Sequence, residues 1–328
     1  MSPLLSLLLL LLVAGAIASA AAVWVMVRGL VRPPRMTDGK ALYLLKRVTP
    51  GDLALPFEDV RFTVRDEQSG SPITLASWWV PHPHANGRCA VLIHGYADAK
   101  VGAIAWAPVW HALGFNLLAI DLRAHGESGG NVCTAGFFER HDLAAVVGQL
   151  RATRPNDARQ VVLFGISLGA STAVGAAALG DGIADAVVLD SPIADFRTAA
   201  SAHFDLLGMP GRHFQQAAIW LAARLTGADF EGISPLNLIS KVPCPLMMIA
   251  PSDDVFVTCE QGRMLEQAVR QRRQERDAYW QVEGSRHLEA LYADPTAYQD
   301  RLSAFLELAL SSGPATKSDH IEAPHSLI

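Results

Sequence analysis

Cysteine is scarce in this 328-residue chain, which has four: Cys89, Cys133, Cys244 and Cys259. None forms a C-x-x-C pair, and they are scattered. That spacing argues against a disulfide framework, which a domain of this size does not need. The four are expected as buried free thiols, with Cys89 and Cys244 on strands. No cluster of His, Cys, Asp and Glu has metal-ligand spacing, and no glycine-rich phosphate loop appears. Neither a metal nor another cofactor is therefore expected. An excess of basic charge is also missing: 27 Lys and Arg face 32 Asp and Glu, for a net charge of −5. Without a dense basic stripe, nucleic acid is excluded as a partner. No internal repeat is present.

The longest absence is of charge and proline together. From Leu4 to Val27 there are 24 residues with neither. As a helix such a run measures roughly 36 Å, against a hydrocarbon core of ~30 Å, so a tilted transmembrane helix fits. A soluble core helix would carry a polar stripe, and this run has none. The rival is a cleaved signal peptide, with Ala18-Ser19-Ala20 as its small-residue site. Against it, the apolar run exceeds the usual signal core and no Lys or Arg precedes it. The expectation is a single-pass anchor over 1–35. Arg28, Arg32, Arg35 and Lys40 follow the run. The positive-inside rule then puts the domain over 36–311 on the cytoplasmic side.

After the Arg32-Pro33-Pro34-Arg35 break, two strands are expected, Phe57 to Arg65 and Ile73 to Val80. Turn-forming residues between them predict an antiparallel edge hairpin. Short continuous apolar runs follow: Cys89 to Ile93, Asn116 to Ile120, Val161 to Phe164, Ala186 to Leu189, Leu246 to Ile249. Such runs are what strands buried on both faces look like. Helix-like stretches over about 101–113, 138–154, 168–179 and 259–272 separate most of them, and Ala278 to Val282 and a helix from Pro295 to Leu310 complete the series. Alternating strand and helix predicts a mostly parallel sheet covered on both faces. Between Pro192 and Val242 the rhythm breaks. Phe204 to Leu207 and Phe214 to Leu225 read as apolar helices, so an inserted cap is expected over about 193–241. The polar tail 312–328 is expected to be disordered.

The chemistry centres on Gly165-Ile166-Ser167-Leu168-Gly169. The same G-x-S-x-G pattern occurs at Gly126 to Gly130, so the pattern alone decides nothing. Context does. Ser167 follows the apolar strand Val161 to Phe164 and precedes a run of small residues suited to a helix packed closely on the sheet. A glycine on each side lets the serine occupy a strained strand-to-helix turn with its hydroxyl exposed. Ser128 has no helix-forming run after it. A serine hydroxyl needs a base, and the base an orienting acid. Of the 11 histidines, His287 lies past the final strand and before the last helix, at the rim where Ser167 emerges. His82, His84, His111, His141, His203 and His213 read as surface or cap residues. The acid belongs to the turn after Leu246 to Ile249, where Asp253 and Asp254 compete.

These residues resemble those of the α/β-hydrolases, most of all bacterial membrane-anchored members of the serine aminopeptidase-like (S33-type) group. The resemblance rests on His94-Gly95-Tyr96, Asp121-Leu122-Arg123-Ala124-His125-Gly126-Glu127-Ser128, the elbow at Ser167, the acid loop and His287. It covers about 90–310 in the family's order Ser, Asp, His. It implies an α/β-hydrolase fold: a mostly parallel central sheet with helices on both faces and a small helical cap, here with an N-terminal transmembrane helix. The family's acid loop runs apolar-Gly-x-x-Asp-x-x-Val-Pro. Matching Val257 to its valine makes Asp254 the acid, although Pro251 stands where glycine is usual and Thr258 where proline is. The resemblance also implies oxyanion donors at the backbone N–H groups of Tyr96 and Leu168. His94 then shapes its loop, and Asp121 and His125 stabilise a turn.

The expected function is a serine hydrolase of a carboxylic ester or related acyl bond, through a Ser-Asp-His triad and an acyl-enzyme. Apolar cap residues such as Phe204, Leu206, Phe214 and Trp220 suit a small-molecule or lipid-like acyl substrate, with the membrane as partner through the N-terminal helix. Peptidase, thioesterase and acyltransferase activity, and a non-catalytic binding role for the fold, stay open.

Overall fold

The computed structural model describes residues 2–84, 86–209 and 211–311. The tail over 312–328 lies outside the described residues. Eight strands form one sheet: β1 (Glu58–Arg65), β2 (Pro72–Val80), β3 (Arg88–Ile93), β4 (Asn116–Ile120), β5 (Gln160–Ile166), β6 (Ala186–Asp190), β7 (Leu246–Pro251) and β8 (Ala278–Val282). Their order is β1-β2-β4-β3-β5-β6-β7-β8. β1 and β2 form the expected antiparallel hairpin, β2 meets β4 antiparallel, and the rest run parallel.

The parallel strands are the continuous apolar runs, and the reason is burial on both faces. One face carries Val91, Leu118, Leu163 and Leu189 against the helices Glu139–Thr153 and Leu168–Ala177. The other carries Leu92, Leu117, Phe164 and Val188 against Trp110, Phe115 and the helix Pro295–Leu310. Register aligns the strand ends. Ile93 pairs with Gly165, Gly165 with Leu189, and Asp190 with Ile249. The loops that leave β3, β5, β6 and β7 therefore open onto one rim.

The helix Leu168–Ala177 is buried along its whole length, and two glycines explain how closely it lies on the sheet. A Cβ at Gly165 would stand 2.2 Å from the Gly169 carbonyl oxygen, and one at Gly169 would stand 2.2 Å from the Ile93 carbonyl oxygen. Both neighbours are backbone and cannot swing away.

Two expectations need correction. The helix over about 101–113 is broken into Lys100–Ala103, a 3-10 turn Ile104–Trp106 and Ala107–Ala112. Pro108 is the cause, because it has no N–H to continue the ladder. The cysteines are all free, but Cys244 precedes β7 and is half-buried, and Cys259 is exposed at the first turn of the helix Cys259–Gln271. Between β6 and β7 the chain forms the helices Phe196–Leu206 and Arg212–Thr226 and two short turns.

The N-terminal helix spans Pro3–Val31, with Ser2 capping its start. By length and composition it is sufficient to cross a membrane. Its two ends differ. Residues from Pro3 to Ala21 are exposed, whereas Met26, Val27, Leu30 and Val31 join the core, and Val23 packs against it. This end lies against the helix Arg212–Thr226. Beyond it Arg35 donates to the carbonyls of His125, Gly126, Ser128 and Gly130 at 2.6–3.2 Å. The helix is thus continuous with the domain core.

Burial of four such side chains contributes roughly 1.5–3 kcal/mol each as an upper estimate. Deleting residues 2–21 should therefore leave the melting temperature close to that of the full chain in detergent. Deleting 2–35 should lower it by roughly 10 °C or more, or cause aggregation. Equal melting of the two deletions would contradict this packing. For the elbow helix, Gly169→Ala should destabilise by about 1–3 kcal/mol or more. Gly148→Ala, on an exposed helical position with nothing near its Cβ, should stabilise by about 0.5–1 kcal/mol. Denaturant titration compares the two.

Candidate active site

The turn from β5 into the helix Leu168–Ala177 is made at Ser167, whose φ is 52° and ψ −114°. A non-glycine residue held there costs of order 1–3 kcal/mol and persists only when its surroundings enforce it. Enforcement comes from the Ser167 N–H, which donates to the Asp190 carbonyl at 3.0 Å, and from the close helix packing at Gly165 and Gly169. The result is a half-buried serine whose hydroxyl faces the rim.

His287 follows β8, and its Nε2 lies 2.9 Å from Ser167 Oγ. Its Nδ1 lies 2.6 Å from Asp254 Oδ2. Asp254 Oδ1 accepts from the Phe256 N–H at 2.7 Å. The side chain of Asp254 is 1% exposed and that of His287 13%. Asp253, one residue away, is exposed, and among the described residues its side chain accepts only from the Ser252 hydroxyl, at 2.9 Å. Backbone bonds between the two loops choose between the neighbours. The Ser252 N–H donates to the Val282 carbonyl and the Asp253 N–H to the Ser285 carbonyl. That pairing turns the next residue, Asp254, inward. The structure thus brings Ser167, His287 and Asp254 together and leaves Asp253 outside.

The histidine loop has a second support. The Leu288 N–H donates to Ser191 Oγ at 3.0 Å, and the Ser191 hydroxyl donates to Asp190 Oδ1 at 2.8 Å. Asp190 is fully buried and also accepts from Tyr298 and Trp106 at 2.8 and 3.2 Å. Burial raises its carboxyl above the usual range, while these donors pull the other way.

Tyr96 and Leu168 follow Gly95 and Ser167 directly. Among the described residues, neither backbone N–H has an acceptor. Leu168 opens its helix, where the amide dipoles favour negative charge. Gly95 is close to the serine: a Cβ there would sit 3.4 Å from Ser167 Cβ. His94 is buried; its Nδ1 lies 2.7 Å from the Gly95 carbonyl and its Nε2 accepts from the Leu122 N–H at 3.0 Å. Its ring thus ties the loop after β3 to the loop after β4, and burial holds its imidazole well below its ordinary pKa. Asp121 accepts from Lys100 and from the Glu127 N–H. Ser128, in the second G-x-S-x-G, donates to the Asp121 carbonyl and accepts from the Ala76 N–H. It is a turn residue.

A cavity of about 300 Å³ adjoins Ser167 and His287. Its walls are mainly apolar, and include Ile193, Phe196, Phe256, Leu288 and, from the N-terminal helix, Leu30. Sequence reasoning missed these residues, because an apolar side chain facing a cavity looks like any core residue. His203, expected at the surface or in the cap, lines the same cavity, and burial lowers its pKa. No group of side chains among the described residues is arranged to hold a metal.

Comparison with known proteins agrees with this architecture. The chain is 27% identical to the Mycobacterium tuberculosis protein Rv2307c, over 75% of this chain and 79% of that one. It is 29% identical to Bacillus subtilis YqkD over 178 residues, and spans 58% of the length of that protein. Among solved structures, the esterase Pf2001 of Pyrococcus furiosus superposes with a TM-score of 0.68 at 22% identity, covering 85% of this chain and 97% of that one. The acylaminoacyl peptidase of Pyrococcus horikoshii gives 0.57 at 16%, covering 86% and 45%. At these identities the structural likeness speaks for the fold, which is that of the α/β-hydrolases. Residues 85–306 match the family model described as serine aminopeptidase, S33, and the chain belongs to that family.

Proposed function

We propose that the protein is a membrane-anchored serine hydrolase that cleaves a carboxylic ester through an acyl-enzyme on Ser167. The observation that carries the reading is the unbroken hydrogen-bonded line from Asp254 through His287 to Ser167. With Nδ1–H donated to Asp254, His287 keeps its Nε2 lone pair toward the serine. It takes the Ser167 proton as Oγ attacks the carbonyl carbon. The negative charge that develops on the carbonyl oxygen meets the N–H groups of Leu168 and Tyr96, which have no acceptor among the described residues. His287 then hands its proton to the leaving alcohol. Water, deprotonated by the same imidazole, releases the acid and restores Ser167. The carboxylate of Asp254 stabilises the imidazolium in both halves.

The cavity favours an apolar acyl group. The family name and the acylaminoacyl peptidase likeness raise the alternative of an aminoacyl substrate, which needs an anion for its amine. Among the described cavity-lining residues the one carboxylate is Asp98. Burial raises its pKa to about 6, and its carboxylate lies against Gly102. The mainly apolar walls carry the ester reading, and Asp98 is the position an amine would have to reach. Anchoring through Pro3–Val31 and a cytoplasmic position for the domain belong to the same reading; the charged residues after the helix support the orientation.

Replacing Ser167 by Ala should reduce turnover of p-nitrophenyl esters by about 10⁴- to 10⁶-fold and abolish fluorophosphonate labelling. Full activity in that variant would end this mechanism. Asp254→Asn should cost about 10⁴-fold in kcat, by permitting the wrong tautomer of His287. Asp253→Asn, assayed beside it, should stay within about two-fold, as expected for an exposed surface position. The reverse ranking would move the acid to Asp253.

A further inference from the structure

We propose that the last turn of the N-terminal helix is part of the substrate site, with Leu30 as the wall that decides which acyl chains the cavity admits. This rests on the serine hydrolase reading and deepens it.

A helix meant only as a tether would leave the catalytic domain through a linker. Here its final turns enter the core, and Leu30 lines the same cavity as Ser167 and His287. The end of a helix also leaves carbonyls without intrahelical partners. Two of these are taken up by the walls of the cavity. The Tyr96 hydroxyl donates to the Gly29 carbonyl, and the Cys133 N–H donates to the Val31 carbonyl at 2.8 Å. Tyr96 and Cys133 themselves line the cavity. Leu30 is thus held from both sides, between one bonded neighbour and the other. Tyr96 is also the residue whose N–H the proposed mechanism assigns to the oxyanion, so the helix end is bonded to the loop that would bind it. The helix Phe196–Leu206 contributes Ala199 and Ala200 to the same lining. These side chains are small, so Leu30 is one of the bulky groups that bound the space.

Helical rise fixes where this wall stands. The exposed run Pro3–Ala21 has 19 residues, which is about 28 Å and close to the ~30 Å hydrocarbon core. Leu30 is nine residues beyond Ala21, about 14 Å along the axis. With the run in a bilayer, the cavity stands just beyond the headgroup layer. The acyl class this suits is a medium or long chain delivered from the membrane phase.

The test uses the full chain in nanodiscs and p-nitrophenyl esters from acetate to dodecanoate. The variants are Leu30→Trp, Leu30→Ala and a control on the exposed face of the same helix, Leu12→Trp. The readout is the ratio of kcat/KM for octanoate to that for acetate, which cancels any general loss of active protein. Leu30→Trp should lower this ratio about 10-fold or more relative to the control, and Leu30→Ala should move the preferred chain longer. If Leu30→Trp does not fold, Leu30→Ala decides alone. Fluorophosphonate labelling of Ser167 with wild-type chain-length profiles in the folded variants would overturn the wall and leave the hydrolase intact. A wild-type protein that is neither labelled nor active on any ester would overturn both.

Discussion

The site depends on a strained residue. Ser167 has to hold a positive φ at the rim, and nothing in its own chemistry favours that. The surroundings do: its N–H is bonded to the Asp190 carbonyl, and its helix is pressed so closely on β3 and β5 that only glycine fits at 165 and 169. The same Asp190 spreads the constraint. Its carboxylate is gripped by Tyr298 and Trp106 from the far face of the sheet, and through Ser191 it holds the backbone at Leu288. Ser167 and the histidine loop are thereby referred to one buried residue at the end of β6. The reach between Ser167 and His287 is set by parallel-strand register and a short bond chain, with no dependence on a long flexible loop.

Asp254 is held by different means. Its position follows from two backbone bonds that zip the loop after β7 to the loop after β8. The side chain of Asp254 is almost wholly withdrawn from water, so its donors, the Phe256 N–H and His287 Nδ1, act without competition from solvent. Such a carboxylate selects one imidazole tautomer. With Nδ1–H given to Asp254, the nitrogen facing Ser167 is the one left free to accept.

Much of this was legible in the residues, and for identifiable reasons. Strands buried on both faces must be continuously apolar, so β3 to β7 announced themselves. A strained elbow demands glycine, so Ser167 stood out from Ser128 once its flanking strand and helix were considered. The choice between Asp253 and Asp254 was different. Adjacent residues on a turn have the same composition signal, and what separates them is hydrogen bonding to a loop more than thirty residues away. The break at Pro108 was visible in the chain but outweighed by the apolar pattern around it. The cavity wall was least legible, because Leu30, Ile193 and Phe256 differ from core residues only in what they face.

The N-terminal helix shows why that last gap matters. Read as a pattern, it is one apolar run and invites a division between anchor and enzyme. In three dimensions its exposed length approximates the thickness of a bilayer core, and its remaining turns are interior to the domain. The change from exposed to buried therefore begins near residue 22, inside the helix. A helix is stiff over this distance, so the spacing between the end of its exposed run and the serine is fixed by rise per residue. A flexible linker would have allowed the domain to turn its site to any side. This chain instead ties the orientation of the site to the axis of the helix.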